Sequence, residues 1–130
     1  MSAPTLTPEQ ARLLLDPNFA VVTTLRRDGS PHSTVVWIDW DGESAVFNTT
    51  MFRAKGHNLL REPRVSIAVW DHDDPYRYLT IEGRAELDTE GADAHIEKLA
   101  QQYWGRSYQN PRERVIVRVK PERVYLYGFE

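Results

Sequence analysis

The chemistry-bearing stretch of this chain is Arg53-Ala54-Lys55 followed by Asn58. It lies where a β-rich run over 44–49 gives way to a helical one, RAKGHNLLR over 53–61. Glu62-Pro63 closes that helix, since a residue ahead of proline avoids the α region. At such a junction, unpaired backbone N–H groups and the positive end of the helix dipole face outward. Two cations there, with the hydroxyls of Thr49 and Thr50, make a cradle for an anion such as phosphate. Arginine gives directional contacts and lysine a point charge. A solvated basic turn accounts for the same residues, and either way both cations are expected at the surface of the empty protein.

Trp37, Trp40, Trp70, Tyr76 and Tyr78 add a second clue. Trp37 and Trp70 each close a strand expected near the cradle, and flat aromatics beside a phosphate site suit a planar heterocycle with a phosphorylated tail. Core packing or contact between copies explains them equally well.

Other chemistries find no support. HExxH, GxSxG, Walker A and GxGxxG are all absent. With no cysteine there is no thiolate metal site, iron–sulfur cluster or cysteine nucleophile. His32, His57, His72 and His95 do not fall at metal-ligand spacing, so no metal is expected. His72, within DHDD, reads as part of a solvated turn, and His95 as an idle residue on a polar helix face.

The elements that must position these residues fit one domain over 1–130. Net charge is −3, so no global field draws nucleic acid, yet Arg53, Lys55, Arg61 and Arg64 form a local basic knot opposed only by Glu62. Apolar runs are too short to span a membrane, and residues 1–8 lack the pattern of a signal peptide. A cytoplasmic protein is expected.

Thr7, Pro8 and Gln10 announce a first helix with Ala11, Leu14 and Leu15 on its apolar face, stopped by Asp16-Pro17-Asn18. Strands follow over 19–25, 32–39 (with an Asp41-Gly42 hairpin), 44–49, 64–70 and 78–87, the last two around a loop DHDDPYR. A helix over 89–104 ends at Gly105, and two strands meet around Pro121. Seven short strands and few helices imply a closed or nearly closed antiparallel barrel. AVVTTL and TVVWI are apolar on both faces and need an outer cover, which a second copy of the chain would supply.

The segments DGSPHSTVVWIDWDGESAVFNTT, FRAKGHNLLREPRVSIAVWD, PYRYLTIEGRAEL and PERVYLYG, in that order, resemble the flavin/deazaflavin split β-barrel superfamily, which includes the pyridoxamine-phosphate oxidases. Within it the chain looks most similar to F420-dependent oxidoreductases. The resemblance implies a mainly β fold of the FMN-binding split-barrel type, with six to seven antiparallel strands and flanking helices. It implies a homodimer with cofactor sites at the interface. Coenzyme F420 is the expected cofactor and FMN, used by the oxidase branch, the alternative; a cofactor carrier without activity is a further one.

By the same resemblance Arg53, Lys55 and Asn58 grip the phosphate, with Asn48 and Thr49 on the preceding strand end. Ser33, Val36 and Trp37 line the ring, with Pro31 and His32 at its entry. Trp70, Arg77 and Tyr78 edge the ring or tail, in part from the partner copy. Arg26, Arg27, Arg61 and Arg77 could serve a longer acidic tail, while Arg112 falls outside every expected contact. The reaction implied is hydride transfer to a small organic acceptor such as a conjugated ketone or quinone. No residue is assigned as catalytic; His32 and Tyr78 are the candidates to protonate the acceptor.

Overall fold

The computed structural model describes residues 4–109, 111 and 113–129; residues 1–3 and Arg112 lie outside that range. Thr7 caps α1 (Pro8–Leu15) in the expected way. Its hydroxyl accepts from the Gln10 N–H at 3.2 Å, and the Gln10 side-chain oxygen accepts from the Thr7 N–H at 3.0 Å. Ala11, Leu13 and Leu14 are buried, whereas Leu15 is exposed where the chain leaves the helix.

The elements that follow are β1 (Phe19–Leu25), β2 (Pro31–Trp37), β3 (Asp39–Trp40), β4 (Ala45–Thr50), α2 (Ala54–Arg61), β5 (Arg64–Asp71), β6 (Asp74–Asp88), α3 (Ala92–Trp104) and β7 (Arg114–Tyr127). The seven strands form one sheet in the order β2-β1-β5-β6-β7-β4-β3, each pair antiparallel. The sheet curls into the half-barrel of a mainly β split-barrel fold, with three helices against it, as the sequence leads one to expect.

Three boundaries differ. The strand expected over 32–39 is broken at Ile38, so that β2 ends at Trp37 and Asp39 opens β3 at the other edge of the sheet. Residues 74–77 belong to β6, leaving a tight turn at 72–73 in place of a loop. The last two expected strands are a single one, β7, because Pro121 sits opposite Gly83 where the β6 register shifts. A bulge tolerates a residue without an N–H, so proline bends the ladder there without ending it. Gly83 is required at this crossing: a Cβ would run into the Lys120 carbonyl.

The ends of the sheet are β2 and β3, and a single residue, Ile38, joins them. Ile38 is fully buried, and its backbone polar groups need partners outside the ladder. Tyr103 of α3 supplies them: its hydroxyl accepts from the Ile38 N–H at 3.0 Å, donates to the Asn18 carbonyl at 2.6 Å and lies 3.1 Å from the Ile38 carbonyl. Burial pushes the Tyr103 phenol up to about 12, so it stays a neutral donor. Phe47, Ile67, Leu79, Ile81 and Val117 fill the interior of the curl. Among the described residues no helix is long and apolar enough to cross a membrane.

Candidate functional site

Between α3 and the ends of β2 and β4 lies a cavity of about 270 Å³. Phe19, Val35, Val36 and Trp37 line one side, Ile96, Leu99, Trp104 and Tyr108 another, and Asn48, Arg53, Lys55 and Arg114 the polar end. Five residues singled out in the sequence therefore meet here: Val36, Trp37, Asn48, Arg53 and Lys55.

The polar end is dominated by uncompensated positive charge. Arg53 is the N-cap of α2, in extended conformation, and no side chain caps the first-turn amides; no acid occupies that turn. Lys55 follows one residue inside the helix and is 5% exposed, against the expectation of a surface lysine, because the α2 face carrying Lys55, Gly56, Asn58 and Leu59 packs inward. Arg114 enters from β7 and is 7% exposed. Among the described residues none of the three is in an ion pair with a carboxylate. Burial first, then the Arg53 and Arg114 charges, pull the Lys55 ammonium down to about 8. Burial likewise lowers Arg114. Buried cations without a carboxylate partner are costly unless a ligand supplies the opposite charge, so this end of the cavity has the electrostatic character to receive an anion.

The opposite wall is aromatic. Trp37 stacks on Tyr103 (5.3 Å between centroids, 15° between planes) and meets Trp104 edge-on at 4.6 Å. Trp104 in turn stacks on Tyr108 at 5.8 Å, with the Arg106 guanidinium 4.7 Å from the Trp104 ring centre. A rigid apolar wall facing a cationic floor fits a planar ring bearing an anionic tail.

The remaining residues named from the sequence do not line this cavity within one protomer. Asn58 is turned inward, its amide donating to Thr24 Oγ1 at 3.0 Å. Thr49 is fully buried, and its hydroxyl has no partner among the described residues. Pro31, His32 and Ser33 occupy the far end of β2, where Ser33 bonds Thr23 at 2.8 Å. Trp70 pairs with Tyr78 across β5 and β6, Tyr78 stacks on Tyr127 at 5.4 Å, and Arg77 pairs with Glu9 at 2.9 Å. The proton-donor candidates His32 and Tyr78 are thus both outside the cavity of their own protomer. Arg26 and Arg61 are tied to the carbonyls of Pro31 and Leu25.

Arg114, Trp104 and Tyr108 are functional candidates that the sequence reading passed over. A signal existed for the aromatics in YWGRSY at the end of α3; nothing local distinguishes Arg114 from its neighbours Arg106 and Arg118. His95 also departs from its idle reading. Its side chain is 11% exposed, 3.1 Å from the Asn48 amide nitrogen and 3.5 Å from Asp39. Burial resists ionisation of Asp39, but His95, Lys98 and the Trp40 N–H outweigh it and hold the carboxyl down at about 2. Asp71, His72 and Asp73 bring ligand atoms within 4.8 Å of one another, but on an exposed turn where Asn18 and Asp73 already engage the His72 ring.

Known proteins are similar to between 63% and 92% of the chain. The model of the pyridoxamine 5'-phosphate oxidase family matches residues 6–128. An F420H(2)-dependent biliverdin reductase of Mycobacterium tuberculosis is 28% identical over 122 residues, covering 92% of this chain and 86% of that protein. A solved F420 reductase superposes with a TM-score of 0.83 at 33% identity, covering 92% of this chain and 98% of the other. A pyridoxine/pyridoxamine 5'-phosphate oxidase of Gloeothece citriformis is 34% identical over 84 residues, 63% of this chain and 39% of its own length. With its half-barrel and a family match running from Leu6 to Gly128, the chain belongs to the pyridoxamine 5'-phosphate oxidase family.

Proposed function

We propose that this protein is an F420-dependent oxidoreductase that exchanges a hydride between the deazaflavin ring and a small conjugated organic acceptor. The observation that carries the reading is the set of Arg53, Lys55 and Arg114, three cations without a carboxylate partner at the foot of an aromatic cavity. The F420-dependent names of the biliverdin reductase and of the solved reductase support the cofactor class. Three cations also exceed the need of one phosphate, which favours the deazaflavin's longer acidic tail over FMN. FMN is the second reading, supported by the family match and the pyridoxine/pyridoxamine oxidase.

When bound, a reduced deazaflavin supplies hydride and an oxidised one accepts it. The chain's own residues bind and orient. Arg53, Lys55 and Arg114 would hold the anionic tail, with the first amides of α2 beside them. Trp37, Trp104 and Tyr108, which touch one another as a single aromatic wall, would with Val35 and Val36 hold one face of the ring and exclude water. Tyr108 is the hydroxyl on the cavity wall, 3.4 Å from Arg114 Nη1, and is a candidate to hydrogen-bond an acceptor.

The reading includes a homodimer. Across the outward face of the sheet, Val35, Val21, Ala68, Thr80 and Tyr125 stand in one cross-strand row, and Trp70, Tyr78 and Tyr127 in the next. Val35, Tyr78, Tyr125 and Tyr127 are all exposed in the protomer. This face adjoins the open side of the cavity through Val35 and Trp37, so a second copy laid on it would complete the wall and bring its own Trp70 and Tyr78 near.

Titrating the purified protein separately with coenzyme F420, FMN and haem tests the proposal. F420 should bind most tightly, and the reduced complex should be oxidised by a conjugated acceptor. A clear preference for FMN would overturn the cofactor assignment in favour of the second reading; failure of all three to bind would overturn the site.

A further inference from the structure

Arg114 owes its place at the cavity to a chain of side chains that runs away from the site. Its Nε donates to Asn48 Oδ1 at 2.7 Å, and Nη1 lies 3.4 Å from the Tyr108 hydroxyl. Asn48 is 7% exposed, and its amide has a dictated orientation. Arg114 can only donate and the Ala92 carbonyl, 3.0 Å from Nδ2, can only accept, so oxygen faces the arginine and nitrogen faces α3. The same nitrogen lies 3.1 Å from His95 Nδ1, which must therefore be the unprotonated, accepting ring atom. The proton of the neutral ring then sits on Nε2, which lies 3.5 Å from Asp39 Oδ2, close enough for the carboxylate charge to favour it there though not in hydrogen-bond geometry. Asp39 is fixed in turn by Lys98 at 2.9 Å and by the Trp40 N–H at 2.9 Å.

We propose that His95 and Asp39 are positioning residues for anion recognition: Asp39 selects the histidine tautomer, His95 holds the Asn48 amide, and Asn48 presents the Arg114 guanidinium to the cavity. This deepens the site reading above and rests on it. A locked amide matters because a flip would set its NH₂ against the arginine's N–H, two donors face to face, and would turn Arg114 away from the anion. The Ala92 carbonyl alone gives the amide a single anchor, and His95 is the second.

The test compares ligands that share a ring and differ in the anion: FMN against riboflavin, and F420 against its ring-and-ribitol core without the phosphate tail. Replacing His95 with Ala should weaken the anionic member of each binding pair by roughly three- to tenfold, the yield of one neutral hydrogen bond, and leave the uncharged member unchanged. His95→Asn, whose amide oxygen can stand near the Nδ1 position, should restore most of the loss. On an Arg114→Ala background, His95→Ala should add nothing further. Equal weakening of charged and uncharged ligands, or an undiminished effect without Arg114, would reduce His95 to a structural role and overturn the proposal. If Arg114→Ala itself leaves FMN and F420 affinity intact, or if no ligand of the panel binds, the site reading fails first. If Arg114→Ala weakens binding and His95→Ala does not, the site stands and the positioning chain falls.

Discussion

Lys55 and Arg114 lie 59 residues apart in the chain, one in the first turn of α2 and one at the start of β7, where Arg114 pairs with Thr50 at the end of β4, and they converge on one cavity with no carboxylate paired to either. Burial is the largest cause lowering both, the Arg53 charge adds to it at each, and the Arg114 charge further lowers Lys55. An arrangement that costs the empty protein stability and would be relieved by an anion has the electrostatic character of the anion site proposed above.

Lys55→Met follows from that cost. The substitution keeps the buried stem and removes a charge that has no partner. Melting of the unliganded variant at neutral pH should be equal to or above wild type. Affinity for F420 or FMN should fall by about one to two decades, corresponding to one charge-assisted hydrogen bond of roughly 1.5–3 kcal/mol. A variant that melts several degrees early would show that Lys55 supports the fold, and its affinity loss would then say nothing about a ligand.

Arg53→Ala makes a complementary pair with it. Arg53 is exposed and its side chain caps nothing, so thermal stability should not change, while affinity for the same ligands should drop at least as far through loss of a two-pronged contact. Unchanged affinity in calorimetric titration would leave Arg53 as part of a solvated turn.

The half-barrel was legible because its signals are local: the Thr7–Gln10 capping box, the Asp41-Gly42 turn and β-branched alternation each speak for a few residues. That Arg53 and Lys55 share the candidate site was legible for the same reason, since they sit together at a helix start. What escaped depended on long-range packing. Arg114 meets Asn48 across 66 residues and Asp39 meets Lys98 across 59, and neither spacing leaves a mark in sequence. His95 looked idle because its helix face is polar, yet that face is turned toward two other polar groups in the interior. Pro121 suggests a strand break because proline usually is one; the register shift at Gly83 opposite it absorbs the proline.

Tyr103→Phe tests how the sheet ends are held together. Removing the hydroxyl leaves the buried Ile38 N–H and the Asn18 carbonyl without their partner, at a cost of about 1–3 kcal/mol. Denaturant unfolding should show a lower midpoint with unchanged slope. An unshifted midpoint would mean that water replaces the hydroxyl and that the joint is not a stabilising element.

Tyr125→Glu addresses assembly. Tyr125 is 56% exposed, lies outside the cavity and stands in the cross-strand row proposed as the dimer face. Wild type should scatter light as twice 15.1 kDa at micromolar concentration, and the variant as one copy with near-native far-UV dichroism. A wild-type mass of one copy would overturn the dimer directly.

The pH dependence of the empty protein gives the sharpest electrostatic check, because its sign is fixed. The Lys55 ammonium titrates at about 8 in the folded chain and near its ordinary 10.5 when unfolded. Below the folded value both states carry the proton, and the burden of the buried charge is fully present. Between the two values the unfolded state binds more protons than the folded one, so stability rises with pH across that window. Other groups titrate there too, so the quantity to measure is the difference between wild type and Lys55→Met. Wild type should gain stability relative to the variant from pH 8 toward 10.5. Anion affinity should run the opposite way, falling as Lys55 loses its proton above pH 8, and Lys55→Arg should flatten that fall because a guanidinium stays charged. A wild-type-minus-variant stability that is flat in pH would show that Lys55 is solvated in the free protein, and the charge argument for the site would lose its foundation.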